Sequence, residues 1–537
     1  MNNKAGLLLI VLLWNALFLS GCKQSAISNS NNASGSYVET NSNQIIENGV
    51  AVNLTGYPIV NQPITLKTVV VTSYKGDYNQ SKFFQELEKN SGINLDIKQI
   101  SVDNRDKLNL MFASRQYPDL LLRSDASPYQ IAIAQNAGDI IPFSSLLQYA
   151  PNWIKALESN PAAQKAMTAA DGSIYSLGLI QQNPVYLGIR DQWLINKKWL
   201  DQLGLEVPKT TEQFAYALAQ FKANAGNGVI PKDMIPYYFR WDQYVGGQLD
   251  LYGGSFGLLV PDDSYVAVEN GKVLFQALNP EIKKPLAYLH RLYKDGLIPP
   301  EVFTDDWGAY YTKLVAKPEM VGSIEAYNNP NPDVYVPMLP PSAESGRKQL
   351  YRQQTWIVRN NQFTIFKNNK YPIASARLAD LLADPDWSVQ ETYGLFGAGT
   401  KKNSDGTYDI MPETANDGEV PNVDAVSAIT PDLASKLRFL PGNSNNNRSQ
   451  AVKLYEPIVA PLDKFFPNYV TYSPDDRDKL TQLQMNVKDY VRQTFIRWVV
   501  QGGIDQEWDA YVAKLKSMHV DDMIAIMQKG LEDYNKQ

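Results

Sequence analysis

Few side chains in this 537-residue sequence stand at spacings suited to covalent chemistry. Gly253-Gly254-Ser255-Phe256-Gly257 fits G-x-S-x-G, the pattern that lifts a nucleophilic serine onto a sharp strand-to-helix turn. That turn needs a helix straight after the serine, yet Leu258 to Asp262 is strand-like and broken by Pro261. A downstream histidine is also required, and the chain has only His290 and His519. The hydrolase reading fails on both counts. Two distant histidines and the single Cys22 leave little for zinc. Asn403 to Glu413, NSDGTYDIMPE, has the outline of a calcium loop. Counting back from Gly406 puts Lys401 where the first aspartate belongs, so a turn is expected. The neighbouring pairs Asp262-Asp263, Asp305-Asp306, Asp475-Asp476 and Asp521-Asp522 suit caps and turns, because glycosidase carboxylates must face each other across a bond. No G-x-x-x-x-G-K-[ST] occurs, so any ATP-driven work needs a partner. The expectation is a non-enzyme without catalytic residues, metal or cofactor.

Binding chemistry is better represented. Tyr237 to Gly257, YYFRWDQYVGGQLDLYGGSFG, sets rings among paired glycines with Arg240, Asp242 and Asp250 alongside. Glycine pairs weaken a helix interior, so a loop or a broken helix end is expected. Flat rings suit a sugar, whose C–H face packs on an aromatic while its hydroxyls bond carboxylates, amides or guanidinium groups. A core-filling aromatic cluster is the alternative. Upstream, Thr65 to Ser73, Asn94 to Ile100 and Asp119 to Leu122 read as strands. Gln80 to Asn90 and Asp103 to Ala113 read as helices between them. This alternation describes an α/β unit with a parallel sheet and crossover helices. Ligands of such sheets bind beyond the carboxyl ends of the strands. Asp77 and Tyr78 after the first strand, and Arg123 and Asp125 after the third, are therefore candidates, with turns and caps as the alternative use of these residues.

One corner of the chain organises the rest. A helix from about Asn196 to Leu203 is stopped by Gly204 and Pro208, and Thr210-Thr211-Glu212-Gln213 has the spacing of a capping box that starts a second helix. The whole stretch, W-x-I-N-K-x-W-L-D-x-L-G-L-x-V-P-x-T-x-x-x-F from Trp193 to Phe214, resembles a signature of extracellular solute-binding lipoproteins of Gram-positive sugar ABC importers. Further pieces match in the same order: Tyr117-Pro118-Asp119-Leu120, Asp171 to Tyr175, Leu292 to Ile298 and Trp508 to Val512.

The resemblance covers about residues 60 to 537. It implies a two-lobed, periplasmic-binding-protein-like α/β fold of type II. Each lobe is a mixed, mostly parallel sheet flanked by helices, and the carboxy-terminal tail is helical. Lobes of 63–185 with 360–430 and of 186–359 with 431–537 follow from where the family crosses between them. The implied function is delivery of a carbohydrate, in particular an oligosaccharide, to ABC permease subunits by hinge closure. The implied aromatic platform is drawn from Trp193, Trp241, Tyr244, Tyr252, Phe256, Trp307 and Trp356. Polar contacts are drawn from Asp77, Asp125, Arg190, Asp242 and Glu325, and Arg123, Arg190 and Arg240 gain weight if the sugar is acidic. A secreted carbohydrate-active enzyme, and a sensor or peptide-binding lipoprotein of the same fold, are the alternatives.

Bulk properties agree with two lobes, since the length exceeds what one core holds. A net charge of −6 without a basic aromatic-laced stretch argues against nucleic acid. The only cysteine explains the amino terminus. Lys4 and the apolar run Ala5 to Leu19 read as a signal peptide, and Leu19-Ser20-Gly21-Cys22 resembles a lipobox, cut before a cysteine that is then diacylated. Residues 1–21 would be lost and Cys22 would hold a monomer to the outer face of the cell membrane by lipid alone. The Ser- and Asn-rich stretch 22–62 is expected to be a flexible tether.

Overall fold

Two mixed sheets divide the chain, and the order of their strands shows how often it passes between them. The computed structural model describes residues 37–41, 43–72, 76–169, 171–183, 188–241, 247–355, 358–412 and 426–536. In the first sheet Ile64–Thr72 runs parallel to Ile93–Ser101 on one side and to Leu120–Leu122 on the other. Leu120 and Leu122 enter one apolar core and Leu121 another, as a strand covered by helices on both faces requires. Val358–Ile365 is inserted antiparallel between Leu120–Leu122 and Ser176–Gln181, and Ala428–Ile429 completes the six strands. The second sheet has the order Tyr335–Pro337, Gln192–Asn196, Val321–Ala326, Ile235–Tyr238.

The corner read from sequence forms as local chemistry dictates. Asn196 ends its strand and accepts the N–H of Trp199, opening the helix Lys197–Gln202. Thr210 and Gln213 make the reciprocal capping box at the head of Thr211–Ala223, worth about 1 kcal/mol. That helix lays Phe214 edge-on against Trp193, which stacks on Tyr237 at 5.7 Å. The tail is three helices, Pro474–Gln501, Ile504–Ser517 and Val520–Lys536, with Ser473 accepting the Asp476 N–H at its start. Trp498, Trp508 and Tyr511 pack together there. Among the described residues no helix is long and apolar enough to cross a membrane.

Two stretches differ from expectation. Part of the expected tether is folded: Gln44–Glu47 and Val50–Asn53 form a hairpin that also pairs with Tyr37–Asn41. Asn48 and Gly49, both with positive φ, make the two-residue turn that such hairpins favour. Ile45, Val52, Ile59 and Val60 are buried in the first half's core, and that burial offsets the entropy of ordering a polar stretch. Around Gly253-Gly254, where a loop or a broken helix end is expected, the helix Gly247–Asp250 breaks into a π-helical turn, Leu251–Ser255, and no open loop forms. Here the glycines serve close approach. A Cβ on Gly253 would stand 2.1 Å from the Leu350 carbonyl oxygen, and one on Gly254 would stand 2.5 Å from the Pro340 ring. Ser255 is wholly buried in that turn, which removes it as an exposed nucleophile.

Three passes connect the halves. The first enters Gln192–Asn196, the second runs through Tyr351 to Thr355 into Val358–Ile365, and the third follows Leu437–Phe439. Leu437–Phe439 still pairs with Tyr408–Ile410, and Leu433 packs with Val389 and Tyr393 of the helix Pro385–Tyr393. Helix Ser444–Tyr455 then ties into the second sheet, where the Tyr455 hydroxyl accepts the Trp193 N–H at 2.9 Å and donates to the Met338 carbonyl.

Candidate functional site

Beside the first two passes, a cleft of about 980 Å³ opens between the two halves. Its volume lies at the upper end of the ~300–1,000 Å³ usual for small-molecule sites. The first half contributes Arg105, Asp125 and Arg359, the second half Asp262, Ser264 and Tyr327, and the connecting segments Arg190, Gln353, Gln354 and Thr355. Phe465, Phe466 and Tyr469 form an aromatic floor. Donors, acceptors and rings thus face one space, which is what a polyhydroxylated, partly apolar guest needs.

Asp125 is held by an unusual turn. Leu120–Leu122 ends at Arg123, whose N–H donates to the Gln362 carbonyl, and both Arg123 and Asp125 have positive φ. The Ser124 hydroxyl donates to the Asn361 carbonyl at 2.6 Å, which fixes the turn on the neighbouring strand. Between Arg359 and Phe363 that strand bulges, with Asn361 left-handed, and the bulge aims Arg359 at Asp125. Its guanidinium grips both carboxylate oxygens, the first at 2.5 Å, and Gln362 Nε2 adds a third bond at 2.8 Å. Arg105 donates to the Asp125 carbonyl at 3.2 Å and lies 3.5 Å from its carboxylate. Burial works to raise the Asp125 pKa, but the Arg359 bond and charge, with Gln362 and Arg105, hold it below the ordinary value.

Behind the opposite wall lies a buried charge network. Arg352 forks onto Asp250 at 2.7 and 2.8 Å and reaches Asp191 at 3.3 Å. The Tyr351 hydroxyl donates to the Asp191 carbonyl at 3.0 Å, and Arg448 donates to the carbonyls of Ile189 and Arg190 while lying 3.8 Å above the Tyr327 ring. All three passes are therefore bolted together here. Burial pushes the Glu325 and Asp250 carboxyls up, and each feels the other acid groups of the cluster, while Arg352 restrains the rise.

Of the residues expected at the site, Asp125 and Arg190 line the cleft. Arg190 lies 3.7 Å from Asp191. Arg123 sits in the turn that leads to Asp125. Asp77 caps a short turn at the end of Ile64–Thr72, accepting from the Asn79 backbone. The expected aromatic platform is largely core. Trp193 is fully buried with its indole N–H on Ser323 Oγ, Trp241 packs on Phe303, and Phe256 packs on Tyr288. Tyr252 is buried inside the π turn, and Tyr78 packs on Phe84 with its hydroxyl 3.0 Å from Thr72 Oγ1. Glu325 is also wholly buried, where one oxygen accepts the Tyr237 hydroxyl. Trp307 is different: it is 51% exposed, stacked near Tyr311, with the Arg240 guanidinium 5.8 Å from its ring centroid. Asp242, Tyr244, Trp356 and Cys22 lie outside the described residues. Sequence reasoning missed Tyr327, Gln354 and Tyr469. The polar run Tyr351-Arg352-Gln353-Gln354-Thr355 ahead of an apolar strand was the available signal for the second.

No protein-family model matches the chain. The fructooligosaccharide ABC transporter substrate-binding protein FusA of Streptococcus pneumoniae is 28% identical over 487 residues, covering 85% of this chain and 88% of FusA. Lipoprotein LipO of Bacillus subtilis is 25% identical over 233 residues, 41% of this chain and 42% of LipO. The solved structure of FusA in complex with kestose superposes with a TM-score of 0.76 at 27% identity, covering 88% of this chain and all of that one. Likeness along nearly the whole sequence and likeness of the two-lobed fold thus coincide in one relative, a substrate-binding protein of an ABC transporter.

Proposed function

We propose that the cleft captures an oligosaccharide, and that the chain delivers it to the permease subunits of an ABC importer. The observation that carries this is one space walled by both halves and lined by two of their connections, because a guest touching both walls favours the closed arrangement over the open one. The fructooligosaccharide-binding relative FusA supports the same class of guest. Gln353, Gln354 and Thr355 line the cleft and bring amide and hydroxyl groups to it for sugar hydroxyls. Tyr469 and Phe466 supply apolar faces. Trp307 extends the site outward. Its helix, Trp307–Leu314, is tied by the Tyr310 hydroxyl to the Glu325 carbonyl, two residues before the cleft-lining Tyr327. A chain of sugars longer than the cleft would meet this ring next. At the other end of the polypeptide, Cys22 carries the lipid that keeps the monomer on the outer face of the membrane.

Titration calorimetry of the purified protein against kestose, nystose, maltotriose and short peptides tests the reading, together with small-angle scattering with and without the bound sugar. A sugar is expected to bind and to compact the particle. Binding of peptides alone, or catalytic breakdown of the sugars, would replace the proposal with one of its rivals.

A further inference from the structure

We propose that Asp125 sets the cleft for uncharged sugars, by occupying the two arginines that would otherwise receive an acidic one. The inference rests on the carbohydrate reading above and adds the charge class of the guest. Among the described residues the cations on the cleft wall are Arg105, Arg190 and Arg359. Each already faces a carboxylate. Arg359 spends its fork on both oxygens of Asp125, the geometry by which guanidinium groups recognise carboxylates. Arg105 shares the same acid at 3.5 Å, and Arg190 lies 3.7 Å from Asp191.

The pairing does not depend on closure. Arg105, Asp125 and Arg359 all belong to the first half, on the turn after Leu120–Leu122 and on the strand beside it. An incoming uronate must therefore either displace Asp125 from Arg359 or enter beside Asp125 on a wall that also carries Asp262. Both routes are unfavourable, since like charges brought together in a desolvated site discriminate strongly. Sugar hydroxyls carry no such penalty, because they are uncharged and the outer lone pairs of a paired carboxylate still accept from them.

The test is calorimetry on the wild-type protein and on Asp125→Asn, with kestose, nystose and maltotriose as neutral probes and trigalacturonate and an alginate trisaccharide as acidic ones. Wild type is expected to bind a neutral probe and to bind both acids weaker by on the order of a hundredfold. The variant keeps the side-chain shape and removes the charge, so Arg105 and Arg359 lose the counter-charge they share. It is expected to gain at least tenfold towards an acidic probe, in a manner that weakens as salt is raised. Wild type binding an acidic probe within tenfold of the best neutral one overturns the proposal without any variant. So does a folded Asp125→Asn protein, checked by circular dichroism, that gains nothing for either acid. Failure of wild type to bind any of the five sugars would instead remove the carbohydrate reading beneath it.

Discussion

Replacing Arg352 by methionine tests whether the buried charge network is what bolts the passes together. The guanidinium is almost wholly enclosed, makes the two fork bonds to Asp250, reaches Asp191, and donates through Nη1 to the Pro261 carbonyl at 3.3 Å. Methionine keeps much of the stem volume and deletes the charge. Asp250 and Asp191 then lose a common counter-ion beside a third buried acid, Glu325. Breaking a buried pair from one side costs about 3–5 kcal/mol. Asp250, already raised by burial, softens this by taking up a proton, so about 3 kcal/mol is expected near pH 8. With a urea slope of about 3 kcal/mol per molar, the midpoint falls by about 1 M. Tryptophan fluorescence reads it, since Trp193, Trp199 and Trp241 are buried in the affected half. The pH dependence has a definite sign. Burial already raises the Asp250 pKa, and loss of Arg352 raises it further. A raised folded pKa gives stability that is present at low pH and lost as pH rises through it, so the deficit should shrink between pH 8 and pH 5. Arg352→Met combined with Asp250→Asn should recover more than half of the loss. A midpoint shift under about 0.3 M at both pH values, or a double variant whose costs simply add, would refute the reasoning.

Other perturbations probe separate parts of the argument. Gly253→Ala puts a methyl 2.1 Å from a backbone oxygen of the second pass, so the pass or the turn must move, and a loss of about 1–3 kcal/mol in urea unfolding is expected. Trp307→Ala leaves the fold intact because the ring is half exposed, yet should weaken a bound oligosaccharide about tenfold by calorimetry while leaving a disaccharide little changed. Glu47 is buried against the helix Pro372–Leu382, accepting the N–H groups of Ile373 and Ala374 at 2.8 and 3.1 Å. Burial pushes its carboxyl up to about 7, against the lowering effect of those N–H groups. Its contribution is therefore full below the unfolded pKa and lost as pH rises through 7, worth roughly 3 kcal/mol at most. Wild type should lose melting temperature relative to Glu47→Gln between pH 5 and pH 8, and a constant difference would count against the assignment.

Legibility followed the range of the interactions involved. The corner from Asn196 to Gln213 was readable because each decisive bond spans three residues, Asn196 to Trp199 and Thr210 to Gln213. The hairpin at Asn48-Gly49 carried an equally local turn signal. It was hidden because its stability comes from Ile45 and Val52 meeting a core assembled from residues far along the chain. The aromatic stretch Tyr237 to Gly257 was misread for a related reason. Rings and glycines have the same composition whether the rings face a guest or a core, and the Gly253 contact with Leu350 appears only when the second pass is in place.

The cleft was least legible, and its chemistry explains why. Asp125 follows a strand of the first half, but what it does is decided by Arg359, 234 residues later, on the strand that returns from the second half. That strand is antiparallel to its neighbours because it arrives from the opposite side, and its bulge at Asn361 turns Arg359 towards the carboxylate. The return strand thus completes the sheet and pairs the cleft's Asp125 in one act. A substitution that abolished the bulge would alter both the interlobe connection and the charge offered to a guest, so hinge geometry and ligand selection should vary together in this chain.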